Sequence, residues 1–267
     1  MNDSKISNFH THTYLCNHAV GRPVDYVKVA KEQGCSELGF SDHCPYPDLH
    51  EANWINCRMS VNQVEEYIRD VKEAASLADF KVHLGFECEY DKNYINWYQD
   101  ELKGRYGAEY LVFGPHWVTD GNIHPYAPEF NHDKRLLAKY TDQVIEGIQS
   151  GLYAILAHPD LFMSGWREWD NEARSALKAI LDAAVAQNLP VEVNGLGIAR
   201  GYIETSRGPR LGYPYHEFWE MVALSGARVI CDSDAHNPDD VIANAVNARE
   251  FAKRYGITPI ETIFSAT

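Results

Sequence analysis

The sequence predicts an α/β fold in which a parallel sheet is flanked by helices, built either as a barrel or as a doubly wound sheet. Three observations predict it. Seven short apolar runs alternate with longer segments of helical period. A polar cluster follows nearly every one of those runs. The chain has 267 residues, 45% of them hydrophobic, which suits one barrel-sized core.

The first strand is expected over residues 6–12, before a helix that begins near Pro23 and stops before Gly34. Proline at a helix start and glycine just past its end fit the backbone needs of those positions. Residues 36–41 read as a strand, and 61–78 as a helix with Val61, Val64, Ile68 and Val71 on one face. Strand 81–86, helix 94–103 and strand 110–113 follow. The second half keeps the rhythm: helix 134–149, strand 153–156, helix 171–187, strand 191–193, helix 215–225, strand 228–231 and helix 238–255. No repeat, low-complexity tract or flexible linker interrupts this order, so residues 1–267 are expected to form one domain.

Composition narrows the partners. Against 24 Lys and Arg stand 38 Asp and Glu, a formal net charge of −14. Such a surface repels long nucleic acids and anionic membranes. The six cysteines (16, 35, 44, 57, 88 and 231) form no C-x-x-C pair and read as reduced, mostly buried thiols. The first residues lack a basic and apolar leader, and no stretch of 18 apolar residues occurs. A soluble, cytoplasmic chain is the expectation, with no oligomeric state assigned.

The polar residues fall in a pattern. After strand one come His10, His12 and His18; after strand two, Ser41-Asp42-His43; at the end of strand three, Glu87. His116 follows strand four and His158 strand five, Glu192-Val193-Asn194-Gly195 closes strand six, and Asp234 and His236 follow strand seven. In parallel α/β folds that carboxyl end is where sites are built. Seven histidines and two carboxylates on one rim are costly to bury unless metal ions occupy it. His10 and His12, two apart on a strand, face the same side and can reach one ion. His50, His83, His124, His132 and His216 have no such spacing and receive no role.

These segments (His10-Thr-His12, His18, Ser41-Asp-His43, Gly85-Phe-Glu87, His116, Ala157-His158-Pro and Ser233-Asp234-Ala-His236) resemble the motifs of the PHP (polymerase and histidinol phosphatase) family. The resemblance runs from residue 8 to about 240 and implies a distorted seven-stranded (β/α) barrel with a trinuclear centre. It implies one metal on His10, His12, Glu87 and Asp234. A second would share Glu87 and add His116 and His158, and a third would take His18, His43 and His236. Nitrogen-rich shells with carboxylates and no thiolates suit Zn, Mn or Fe.

Clustered divalent ions activate a bridging water and clamp phosphoryl oxygens, so the expected chemistry is hydrolysis of a small phosphate ester. Asp234 and His236 are the candidate proton carriers. Arg167 and Arg200, which follow strand ends, are the candidate phosphate ligands, with Arg207 and Arg210 behind them. Asn194 is expected to contact substrate or an arginine. The segments around Asp42-His43, Gly85–Tyr90, Glu192–Gly195 and Gly212-Tyr-Pro214 resemble the stand-alone histidinol-phosphate phosphatases, implying L-histidinol phosphate as substrate in histidine biosynthesis. Glu89, Asp160, Tyr90 and Trp117 are then candidates to meet its cationic end. Competing expectations are a phosphoesterase for nucleotides or other small esters, and a non-catalytic metal-binding domain.

Overall fold

The computed structural model describes residues 6–47, 56–121 and 123–264. Six strands follow one another in chain order: β1 (Ile6–Asn8), β2 (Cys35–Phe40), β3 (Lys81–Cys88), β4 (Tyr110–Phe113), β5 (Ile155–Leu156) and β6 (Val191–Asn194). A separate antiparallel hairpin, β7 (Tyr202–Ile203) and β8 (Arg210–Leu211), precedes the seventh sheet strand, β9 (Val229–Asp232). All six pairings within the main sheet are parallel. Beyond the strand ends Thr11 bridges Ala235 in the parallel sense, and His12 N donates to Ala235 O at 2.9 Å. First and last strands are thereby joined. The sheet closes into a distorted seven-stranded barrel, which resolves the choice between barrel and doubly wound sheet.

The helices stand between the strands: α1 (Pro23–Glu32), α2 (Val64–Leu77), α3 (Lys134–Gln149), α4 (Met163–Trp166), α5 (Asn171–Ala186), α6 (Gly195–Ala199), α7 (His216–Ser225) and α8 (Asp240–Lys253). Local signals explain where they start. Asp133 accepts from the backbone N–H groups of Arg135 and Leu136, and Asp170 from that of Ala173, satisfying donors the first turn leaves open. The strands β4, β6 and β9 are buried at every residue, as parallel strands covered on both faces must be.

Most expected elements recur within a residue or two. Strand one is shorter than expected, because the chain leaves the ladder after Asn8 to set up the closing bridge at Thr11. The expected helix 94–103 is a π-helix over Trp97–Arg105, with Tyr106 N bonded to Glu101 O. Apolar spacing over so short a span cannot separate that winding from an α-helix. The hairpin β7–β8 and the short helices α4 and α6 were not anticipated; two-residue strands and single turns leave too little period to read.

The barrel interior holds Phe9, Tyr110, Val112, Ile155, Ala157 and Ile230, against which Ile260, Ile263 and Phe264 of the C-terminal segment pack. Each such aromatic or large aliphatic side chain contributes about 1.5–3 kcal/mol on burial. Two strand glycines make the space. A Cβ on Gly39 would lie 2.1 Å from the Tyr110 hydroxyl, and one on Gly85 2.6 Å from its ring. That hydroxyl donates to Phe9 O at 2.8 Å, leaving no polar orphan there. Among the described residues no helix is long and apolar enough to cross a membrane.

Candidate metal centre

The barrel brings the nine expected side chains to the carboxyl end of its strands. His10 Nε2 and His12 Nε2 stand 3.2 Å apart. His12 Nε2 is 3.2 Å from Asp234 Oδ1 and 3.4 Å from Glu87 Oε2. Glu87 is the hub: His43 Nδ1 lies 2.9 Å from Oε2, while His158 Nε2 and His116 Nε2 lie 3.1 and 3.6 Å from Oε1. His18 Nε2 and His236 Nε2 are 3.0 Å apart. His158 and Asp234 hold left-handed backbones, with φ of 29° and 50°. Positive φ is uncommon for any residue with a side chain, although Asp and His are among those that reach it most often, and here it turns the chain sharply at a strand end.

Surrounding acceptors fix which ring nitrogen carries hydrogen. His10 Nδ1 meets Glu192 Oε1 at 2.7 Å, and His116 Nδ1 meets Glu89 Oε1 at 2.8 Å. His18 Nδ1 and His236 Nδ1 meet the carbonyls of Cys16 and Asp234 at 2.8 and 3.0 Å. A carbonyl only accepts, so those two Nδ1 atoms donate and both Nε2 lone pairs point at each other across 3.0 Å. Two lone pairs at that separation need a cation between them. Glu87 Oε2 and His158 Nδ1, although buried, take no aligned hydrogen bond from the protein. The donor set therefore fits bound metal ions, the outer carboxylates and carbonyls orienting the rings as such shells do.

Electrostatics agree. Burial opposes charge on Glu87 and Asp234, yet the surrounding histidines hold both carboxyls well below the usual range. Burial and the neighbouring His12 push His236 down to about 3 and His43 well below its ordinary value, so both rings stay neutral and able to coordinate. Burial also disfavours charge on His10, but Asp234, Glu192 and Glu87 outweigh it and raise its pKa. The cluster demands positive charge at its middle.

The ligand-type groups open onto a cavity of about 150 Å³, walled by Arg58, Arg200, Trp117, Tyr126, Leu161, Leu196 and Tyr213. Arg200 is at the expected place, its Nη1 donating to the Tyr213 hydroxyl at 3.0 Å. Arg167 is not. It ends α4 with φ of 60° and lines a second cavity with Glu168, Arg207 and Arg210, because the left-handed turn carries it off the rim. Arg210 is spent on the carbonyls of Leu211, Gly212 and Met163 and pins the hairpin to α4.

Asn194 also differs from expectation. Its amide caps α6 and donates to Glu192 and Asp234, and so stands behind the site. Glu89 is occupied by His116, and buried Asp160, its carboxyl pushed up to about 7 by burial, accepts from Tyr215 N and Trp219 Nε1. Neither faces the cavity. Tyr90 lines a different depression, and Trp117 alone of that group borders the metal cavity.

Three residues at the site escaped the sequence reading. Arg58 comes from the loop after β2 and is 4% exposed, donating to Cys44 O at 2.8 Å. No spacing signals it. Glu192 was visible as a strand-end carboxylate two residues before Asn194. Cys16, expected only as a buried thiol, lies with His18 and His236 in one group of metal-ligand type, its Sγ 4.0 Å from His18 Nε2. His83, His132 and His216 lie elsewhere, against Glu37 and Glu109, Trp166, and Tyr255. His124 faces Thr119, and His50 lies outside the described residues.

Fold and site together define a closed parallel α/β barrel with a histidine- and carboxylate-rich metal centre at its carboxyl rim. The model of the PHP domain matches residues 8–195, and the chain belongs to that family. It is 30% identical over 246 residues to a probable histidinol-phosphatase of Deinococcus radiodurans, covering 88% of each chain. It is 23% identical to a probable histidinol-phosphatase of Schizosaccharomyces pombe, covering 94% of this chain and 87% of that one. The crystal structure of the Lactococcus lactis histidinol phosphate phosphatase, complexed with Zn, L-histidinol and phosphate, shares the fold. Its TM-score is 0.70 at 17% identity, with 96% of this chain and 95% of that one covered.

Proposed function

We propose that this protein is a metal-dependent phosphomonoesterase that hydrolyses L-histidinol phosphate to L-histidinol and phosphate, a step of histidine biosynthesis carried out in the cytoplasm. The observation that carries this reading is the hub at Glu87, where histidines from four strand ends converge beside an arginine-bearing cavity. The similarity to relatives named probable histidinol-phosphatase supports the substrate.

Three divalent transition ions (Zn, Mn or Fe) would be held by His10, His12, Glu87 and Asp234; by Glu87, His116 and His158; and by His18, His43 and His236. When bound, they supply Lewis acidity towards phosphoryl oxygens and lower the pKa of water towards about 7. Arg200, with Arg58 in place of Arg167, binds and orients the phosphoryl group. Asp234 takes the proton of the attacking water through Oδ1, while Oδ2 is held by the Asn194 amide. Asp234 then returns that proton to the leaving alkoxide; His236, whose Nδ1 donates to Asp234 O and whose Nε2 would hold a metal, has none to give. Trp117, Tyr126 and Tyr213 wall the space left for the alcohol, and Trp117 offers a ring face to its cationic groups.

The test is phosphate release from histidinol phosphate, AMP and p-nitrophenyl phosphate by the metal-loaded enzyme. The expected result is a kcat/KM at least about 100-fold higher for histidinol phosphate than for the generic ester. Equal values would move the assignment to a broader small-ester phosphatase. Bound metal without turnover of any ester would leave a non-catalytic metal-binding domain.

A further inference from the structure

Behind the ligand-type groups lies a carboxylate with no contact to the cavity. Glu192, on β6, is fully buried, and its two oxygens accept three hydrogen bonds. Oε1 faces His10 Nδ1 at 2.7 Å; Oε2 accepts from His158 N at 2.8 Å and from Asn194 Nδ2 at 2.9 Å. The orientation of that amide is not free. Asn194 Oδ1 accepts from Gly197 N, an obligate donor, so Nδ2 must be the atom that faces Glu192. The same Nδ2 reaches Asp234 Oδ2 at 3.0 Å.

We infer that Glu192 is a positioning residue for the metal centre, setting His10, His158 and, through Asn194, Asp234 from a single carboxylate. By taking the Nδ1 hydrogen it leaves the His10 Nε2 lone pair turned towards Glu87 and Asp234. By taking His158 N it anchors the residue whose φ of 29° would otherwise relax. By holding the Asn194 amide it leaves Asp234 Oδ1 as the oxygen that faces the histidines. Three strand ends, β1, β5 and β9, are thus brought to one register by β6. Outer carboxylates of this kind raise the basicity of a ligating imidazole and fix its tautomer. The inference rests on the metal-centre reading given above.

Glu192→Gln preserves volume but cannot preserve the pattern. An amide nitrogen on the Oε2 side meets two donors; on the Oε1 side it meets the His10 N–H and forces hydrogen onto Nε2. Zinc affinity, measured by competition with a chromophoric chelator, is expected to fall about 10- to 100-fold in E192Q. In a His10→Ala background the same change is expected to add clearly less, because the shared partner is gone. Additive losses, or an E192Q affinity equal to wild type, overturn the inference. If E192Q does not yield folded apoprotein, Asn194→Ala carries the test: weaker zinc binding supports the chain from Glu192 to Asp234, and unchanged binding overturns it. Wild-type protein that takes up no zinc overturns this inference together with the metal-centre reading, whereas wild-type uptake with unaltered E192Q overturns this inference alone.

Discussion

The two ends of the barrel are built from the same strands and solve opposite problems. At the amino end, Phe264 closes the interior and its ring meets Phe9 and Tyr110 at 6.0 and 6.1 Å. His83 stacks on Phe264 at 4.2 Å and sets its nitrogens against Glu109 and Glu37 at 2.7 and 2.8 Å. Every polar atom of that histidine has a partner. At the carboxyl end, histidine nitrogens face one another, Glu87 Oε2 takes no aligned hydrogen bond, and His158 Nδ1 is buried without a hydrogen-bond partner. A buried histidine does not by itself mark a site; satisfaction separates the two kinds. A histidine whose hydrogen bonds are complete belongs to the scaffold, and one whose lone pair is aimed into an anionic cluster belongs to a site.

Substitutions at the two ends should separate accordingly. The largest effect is expected from Asp234→Asn, which removes a carboxylate from the hub. Phosphatase activity should drop by more than about 100-fold, beyond the loss typical of an outer partner, with the fold intact by circular dichroism. Chelation should abolish turnover in the same assay, and added Zn or Mn should restore it. Activity surviving both treatments would end the contrast between the two ends.

Gly39→Ala probes the amino end. A Cβ placed 2.1 Å from the Tyr110 hydroxyl must displace a ring inside the barrel, and a loss of about 3 kcal/mol in unfolding free energy is expected. Zinc affinity of the folded protein should stay at the wild-type value. A stable Gly39→Ala variant would show that the barrel interior is looser than its packing implies.

Arginine variants sharpen the carboxyl end. Arg200→Ala is expected to raise KM about 10- to 100-fold, in line with loss of a charge-assisted contact to phosphate. Arg167→Ala, at the separate cavity, is expected to leave kcat and KM unchanged. The reverse ranking would restore Arg167 as the phosphate ligand. The smallest effect is expected for His83→Gln, a loss of about 1 kcal/mol seen in chemical denaturation with normal kcat.

Much of this could be read in the residues. The alternation of seven apolar runs with helical segments announced a parallel α/β sheet, since hydrophobic period and strand-end polarity are local properties. The H-x-H at His10 and His12, and the single ligand-type residues after the other strands, marked the rim because chain order maps directly onto sheet order in this topology. Arg58 and Arg167 mark the limit. Both lie in loops, and whether a loop arginine points into the cavity depends on backbone turns, such as the φ of 60° at Arg167, that spacing does not encode.

By itself, then, the sequence determined the kind of sheet, the rim on which chemistry would gather and the histidines, Glu87 and Asp234 that stand on it. Each of these depends on period and residue type alone. Closure through Thr11 and Ala235, the plug at Phe264, the exchange of Arg167 for Arg58 and the burial of Glu192 behind His10 were decided by tertiary structure. They are contacts between residues as much as 255 positions apart, Phe9 to Phe264, and only the folded chain brings such partners together.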